Sequence, residues 1–167
     1  MKRKTQILVI GYNSDACTKK VYDIAYKVGK GVAKRGAILV TGGLGGVMEA
    51  ACKGASDAGG VALGIIPYDE FSKANKYCNV IVCSGVGYAR NFITAYSADG
   101  TIIIGGGIGT LIEAVVYMKK KPVVALAGSG GIADRYAGKY LNDRKLVKIS
   151  SARNAKEAVD YIMRKLR

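Results

Sequence analysis

Two hydrophobic patterns alternate along the 167 residues. In one, apolar residues follow each other without a polar break; in the other, they recur every three or four positions. Residues 7–11 (ILVIG) and 101–104 (TIII) are runs of the first kind, β-branched or leucine up to the closing Gly11, and predict strands buried on both faces. Similar runs at 37–40, 61–66, 79–83 and 123–127 predict four more strands, and 146–149 a short last one. Between them lie helical patterns. Residues 18–35 carry Val21, Ile24, Val28 and Val32 on one stripe with lysines opposite, and Gly36 stops the helix. Residues 47–58 present Met48, Ala51, Cys52 and Ala55 inward. Further helices are predicted over 88–98, with Arg90 and Asn91 in the first turn, and over 110–119. The last begins at Asn154, a cap with Glu157 in the matching position, and turns Ala158, Tyr161, Ile162 and Leu166 inward. Residues 68–77 are polar and irregular, a surface loop near a site mouth. Residues 132–144 are rich in tyrosine and charge, and their pattern does not settle between helix and loop.

Strands alternating with helices over a chain this long predict a single α/β domain. Its mainly parallel sheet would have about seven strands and helices on both faces. Ligands of such sheets sit beyond the carboxyl ends of the strands, at a topological switch point. The loops meeting there are 11–15, 42–46, 84–90, 105–110 and 128–131, and all five contain glycine. Asp99-Gly100 falls at the opposite end and reads as turn chemistry.

The stretch TIIIGGGIGTLIE (101–113) is a strand, a glycine turn and a helix start in direct succession. Glycines let the backbone approach an anion, and the helix end adds roughly half a positive charge, so this loop is predicted to hold a phosphate. Glu113, one turn in, would face the ligand. Thr110 and Glu113 also match a capping box, in which both side chains serve backbone amides and nothing else. No Lys-Ser/Thr pair follows the last glycine, so this is not a Walker A loop. TGGLGGVMEA (41–50) resembles a dinucleotide fingerprint only loosely, because its glycines follow the second strand rather than the first. Close helix–sheet packing is the alternative reading of these glycines. Arg90, a cation in a helix's first turn, opposes the local dipole and points to a nearby anion, either a phosphate or Glu113.

Composition narrows the chemistry. The net charge is +14, from 26 basic and 12 acidic residues, which favours anionic partners. No nucleic-acid-binding motif accompanies it, so a phosphorylated small molecule is preferred over nucleic acid. The chain has no histidine, which excludes Ser-His-Asp and Cys-His nucleophilic sites and histidine-ligated metals. Cys17, Cys52, Cys78 and Cys83 are scattered without a CxxC pair and read as small hydrophobes, so no metal site is expected. The apolar run after the basic MKRKTQ start is too short for a signal-peptide core, and no stretch is long enough to span a membrane; a cytoplasmic protein is expected.

Three motifs in order, GGLGGVMEAACKGA (42–55), YARN (88–91) and GGGIGTLIE (105–113), resemble the Lonely Guy (LOG)-type superfamily, whose "possible lysine decarboxylase" label is not evidence of that reaction. Its pattern is PGGxGTxxE. The similarity covers about 5–165 and is greatest to the branch that includes the molybdenum cofactor carrier proteins. It implies a Rossmann-like three-layer homodimer with a nucleotide-type phosphate in the glycine loop. In LOG members it also implies hydrolysis of nucleoside 5′-monophosphates to base and ribose 5-phosphate, with no cofactor required. The family's catalytic arginine falls on Arg90 and its glutamate on Glu113. The binding set is then Gly11, Gly42, Gly43, Gly45, Gly46, Asn91, Gly105, Gly106, Gly107, Ile108, Gly109 and Thr110. The bound molecule would be a nucleotide monophosphate or molybdopterin, and Tyr12, Tyr68 and Tyr88 are candidates to stack on its ring. Two departures from the LOG pattern, Gly105 in place of proline and Ile112 in place of an additional glutamate, leave a non-catalytic carrier of a phosphorylated pterin as the alternative.

Overall fold

The computed structural model describes residues 3–116, 121–146 and 148–167. The predicted helix end at 117–119 and Lys120 therefore lie outside the described residues, as do the first two residues of the MKRKTQ segment.

Strands β1 (Gln6–Gly11), β2 (Ile38–Thr41), β3 (Ala62–Ile66), β4 (Val80–Cys83), β5 (Gly100–Ile104), β6 (Val123–Leu126) and β7 (Ser150–Ala152) form one sheet in the order β4-β3-β2-β1-β5-β6-β7. All six pairings are parallel. Helices α1 (Lys19–Lys34), α2 (Val47–Asp57), α3 (Arg90–Tyr96), α4 (Ile108–Val116), α5 (Gly131–Tyr136) and α6 (Ala155–Lys165) connect the strands, with single 3₁₀ turns at Phe71–Lys73 and Gly87–Ala89. This is the Rossmann-like α/β arrangement.

Two cores follow from the strand period of two. Ile7, Val9, Ile102 and Ile104 face one side, with Val21, Val28, Ala51 and Ile162 from α1, α2 and α6. Leu8, Ile10 and Ile103 face the other, with Ala95, Ala114 and Ile132 from α3, α4 and α5. Both faces of the central strands are therefore covered, which is why their sequences show no polar alternation. Thr18 caps α1 by accepting the Val21 N–H, and Asn154 caps α6 by accepting from Glu157. Helices α1 and α2 cross very closely: a methyl group on Gly29 would lie 1.9 Å from the Ala51 carbonyl oxygen. Asp99 fastens the start of β1 at the bottom of the sheet, accepting from the Gln6 N–H and pairing with Arg3.

The last strand differs from expectation. It is Ser150–Ala152, and of the expected 146–149 segment the described residues Leu146, Lys148 and Ile149 are not in the sheet, while Val147 lies outside the described residues. Lys148 bridges antiparallel to Tyr140, so the chain first folds on itself and reaches β6 only at Ser150. Ile149 is fully buried, and its apolar signal comes from the core rather than from the sheet. The ambiguous 132–144 segment is the short helix α5 followed by turns.

Candidate functional site

Strand β1 lies between β2 and β5, so the chain leaves β1 and β5 in opposite directions and a cleft opens where their loops part. The backbones touch at its floor. A Cβ on Gly11 would sit 2.1 Å from the Ile104 carbonyl oxygen, so no side chain fits there.

The glycine run after β5 divides into two halves. Gly105 and Gly106 have φ of +64° and +97°, and three of their backbone polar groups are hydrogen-bonded inside the protein. The Gly105 N–H donates to Ser129 Oγ at 2.9 Å, and their carbonyls accept the N–H groups of Ala133 and Ile132. The Tyr12 ring packs against Gly105, Gly130 and Gly131 from above, so it buttresses the loop although its edge reaches the cleft. Gly107, Gly109 and Thr110 face the cleft, whereas Ile108 is 80% exposed and points away. The helical ladder of α4 starts with Leu111 N–H to Gly107 carbonyl. The amides of residues 107–110 precede it, a helix start open to an anion. The capping box does not form: Thr110 Oγ1 donates to the Gly11 carbonyl at 3.2 Å, and Glu113 turns to Arg90.

Arg90 and Glu113 meet below this loop. Arg90 Nη1 lies 2.9 Å from Glu113 Oε1, and each side chain is only 9% exposed. The same nitrogen reaches Thr94 Oγ1 at 3.4 Å, and Thr94 donates back to the Arg90 carbonyl. Arg90 Nε is buried with no partner. Burial raises the Glu113 carboxyl from its ordinary 4.5 to about 7, and Arg90 offsets only part of that rise. Gly42 makes room for the pair, since a methyl there would lie 2.5 Å from the guanidinium nitrogens. Buried Asn91 completes this wall.

The other predicted glycines shape the 42–46 loop and do not line this first cavity. Gly43 and Gly46 have positive φ and pack against Ile66 and the Tyr12 carbonyl, and Gly45 approaches Ser14. Sequence reasoning missed two supports. Buried Ser129 bridges Gly105 to Leu126. Asn75 holds the 42–46 loop by donating from its N–H to the Gly43 carbonyl and from its amide to the Leu44 carbonyl. No spacing in the sequence signals either one. The cleft measures about 530 Å³ and continues past Tyr12 to Met48 and Tyr68, within the range that holds small-molecule ligands. Cys52 Sγ lies 3.7 Å from Cys78 Sγ, and Cys52 is buried on the inner face of α2. Among the described residues no group of three or more histidine, cysteine or acidic side chains is placed to hold a metal ion, and no helix is long and apolar enough to cross a membrane.

These features define a Rossmann-like α/β protein with a ligand cleft at its topological switch point. The chain belongs to the SLOG cluster4 family, whose model matches residues 4–159. It is 39% identical over 130 residues to an uncharacterized protein of Archaeoglobus fulgidus, covering 74% of this chain and 84% of that one. Among solved structures it is similar to the molybdenum cofactor binding protein of the phototrophic bacterium Rippkaea orientalis, with 29% identity, complete coverage of both chains and a TM-score of 0.88. It is also similar to the molybdenum cofactor carrier protein of Chlamydomonas reinhardtii, with 31% identity, 98% and 99% of the two chains covered and a TM-score of 0.83.

Proposed function

We propose that this protein binds the molybdenum cofactor, a phosphorylated pterin, and carries it without breaking a bond in it. One observation carries this reading: the open amides of Gly107, Gly109 and Thr110 stand over a buried arginine in a cleft large enough for a phosphorylated ring system. The phosphate would take those amides, and the unpartnered Arg90 Nε offers a further donor beneath them. Likeness along the whole chain to a molybdenum cofactor binding protein and a carrier protein supports the choice of ligand. The +14 charge draws an anionic cargo toward the cleft. Incubating the purified protein with cofactor released from a molybdenum enzyme tests the proposal. Bound pterin and molybdenum should co-elute with the protein, and Arg90→Gln should release them. Elution of protein without pterin at saturating cofactor would refute it.

A second reading, hydrolysis of nucleoside 5′-monophosphates, rests on Glu113. With its carboxyl near 7 it can hold or release a proton at neutral pH, beside the ribose of a nucleotide whose phosphate sits in the loop. Water would add to C1′ as the C1′–N bond breaks, the carboxylate would stabilise the developing positive charge, and the base would leave with the proton. Against it, Glu113 is the one buried carboxylate among the described residues, and Ile112 is turned outward. Free base released from a panel of nucleoside monophosphates, and lost in Glu113→Gln, would establish this reading in place of the carrier.

We also propose self-association through α3 and α4. Tyr88, in the turn before α3, and Phe92, Ile93, Tyr96, Ile108 and Ile112 on the two helices are exposed, an apolar surface suited to a second copy of itself. Sedimentation of the wild-type chain as a dimer or larger, and of Ile108→Glu as a monomer, is the expected result.

A further inference from the structure

A second cavity of about 470 Å³ opens beside the first. The two share Asn13, Leu44 and Tyr68 as walls, so one ligand can extend from one into the other. Successive residues of α2 mark the passage: Met48 lines the first cavity and Glu49 the second. Glu49 is half-buried, and among the described residues it makes no hydrogen bond or ion pair. The other polar groups of this wall differ. The Asn75 amide already donates to the Leu44 carbonyl and accepts the Tyr77 N–H, and Lys73 stands exposed at the rim. Glu49 is thus the charged acceptor left available at the far end of a cleft whose near end is built for an anion.

We propose that Glu49 selects the ring of the ligand by accepting two hydrogen bonds from a 2-amino-4-oxo-pyrimidine edge. In a pterin this edge is N3–H with the 2-amino group; in guanine it is N1–H with the 2-amino group. A carboxylate matches these two adjacent donors with its two oxygens, as it matches a guanidinium. Adenine presents a lone pair at that position and is repelled. The assignment rests on the phosphate-binding reading of the first cavity and adds the ring class that the second cavity takes. It holds for a carried pterin and for a hydrolysed guanine nucleotide alike, because both present the same donors.

Isothermal titration of the full chain with GMP, IMP and AMP tests it, since the three share phosphate and ribose and differ at the edge in question. GMP should bind about tenfold or more tighter than IMP, which lacks the 2-amino donor, and AMP should bind more weakly than IMP. In Glu49→Gln the GMP preference over IMP should fall to about twofold or less, while affinity for ribose 5-phosphate stays unchanged and shows the fold intact. Pterin and lumazine, which differ only at the 2-position, should repeat the pattern by fluorescence quenching. Equal binding of GMP and IMP by the wild type, or a preference that survives in Glu49→Gln, overturns the role of Glu49 and leaves the phosphate site standing. Failure of all three nucleotides and of ribose 5-phosphate to bind overturns both.

Discussion

Replacing Glu113 by glutamine separates the electrostatics of the cleft from its shape. The amide keeps the size of the carboxyl and an oxygen that accepts from Arg90 Nη1, which sits 2.9 Å from Glu113 Oε1 in the wild type. What it removes is a titration. Glu113 titrates near 7 in the folded chain and ordinarily at 4.5, so between those values the folded state holds a proton that the unfolded state has released. That group's contribution to stability is therefore greatest at low pH, declines as pH rises from about 4.5 to 7, and levels off above. Taking these two values, the Glu113 titration costs the wild type about 1 kcal/mol at pH 5, where the folded carboxyl still holds its proton, and about 3 kcal/mol at pH 8, where it is ionised. The variant has no such titration, so its stability relative to wild type should improve by about 2 to 3 kcal/mol across that interval. In a chain of this length that corresponds to a melting-temperature difference changing by about 5 to 10 °C. Urea unfolding of both proteins at half-unit steps from pH 5 to 8, followed by circular dichroism, measures it. An offset that stays constant within about 0.5 kcal/mol over the whole range would show that Glu113 titrates normally, and the buried-pair account would fall.

Other substitutions probe the same floor. Arg90→Met removes the cation that partly offsets burial, so the Glu113 carboxyl should titrate above its wild-type value, as read by carboxyl carbon chemical shifts. Gly42→Ala places a methyl 2.5 Å from the Arg90 guanidinium and should lower phosphate-ligand affinity about tenfold or more, at about 1–3 kcal/mol of stability, measured by titration and urea melts. Gly106→Ala, at φ +97° and against Thr110, should destabilise by about 1–3 kcal/mol. Gly107→Ala, which meets nothing within 4 Å, should leave stability nearly unchanged and be felt only in ligand binding.

Much of this was legible in the sequence. The unbroken apolar runs at 7–11 and 101–104 gave central strands because a parallel sheet covers both faces and needs no polar side. The loops at the strand ends were visible through glycine, since a close backbone approach or a positive φ there admits little else. The reading of 146–149 as a strand failed for a different reason. Burial alone makes Ile149 apolar, and a residue can be buried without being paired in the sheet. In the same way β4 reads like a buried strand, yet it forms the sheet edge and leaves Val80 and Val82 exposed.

Local sequence thus determined the alternation of strands and helices, the cap at Asn154, and the place of the glycine loops, whereas the cap at Thr18 came from the structure. It named Arg90 and Glu113 as separate residues 23 positions apart but left two partners open for each. Thr110 and Glu113 match a capping box in the sequence, and only the fold decided against it. The parallel register of β1 and β5 puts the Gly11 carbonyl beside Thr110, and the packing of α3 against α4 buries Arg90 with Glu113 as its carboxylate partner. Desolvation then raises the carboxyl, and desolvation depends on the atoms that surround a group in space rather than on its neighbours along the chain.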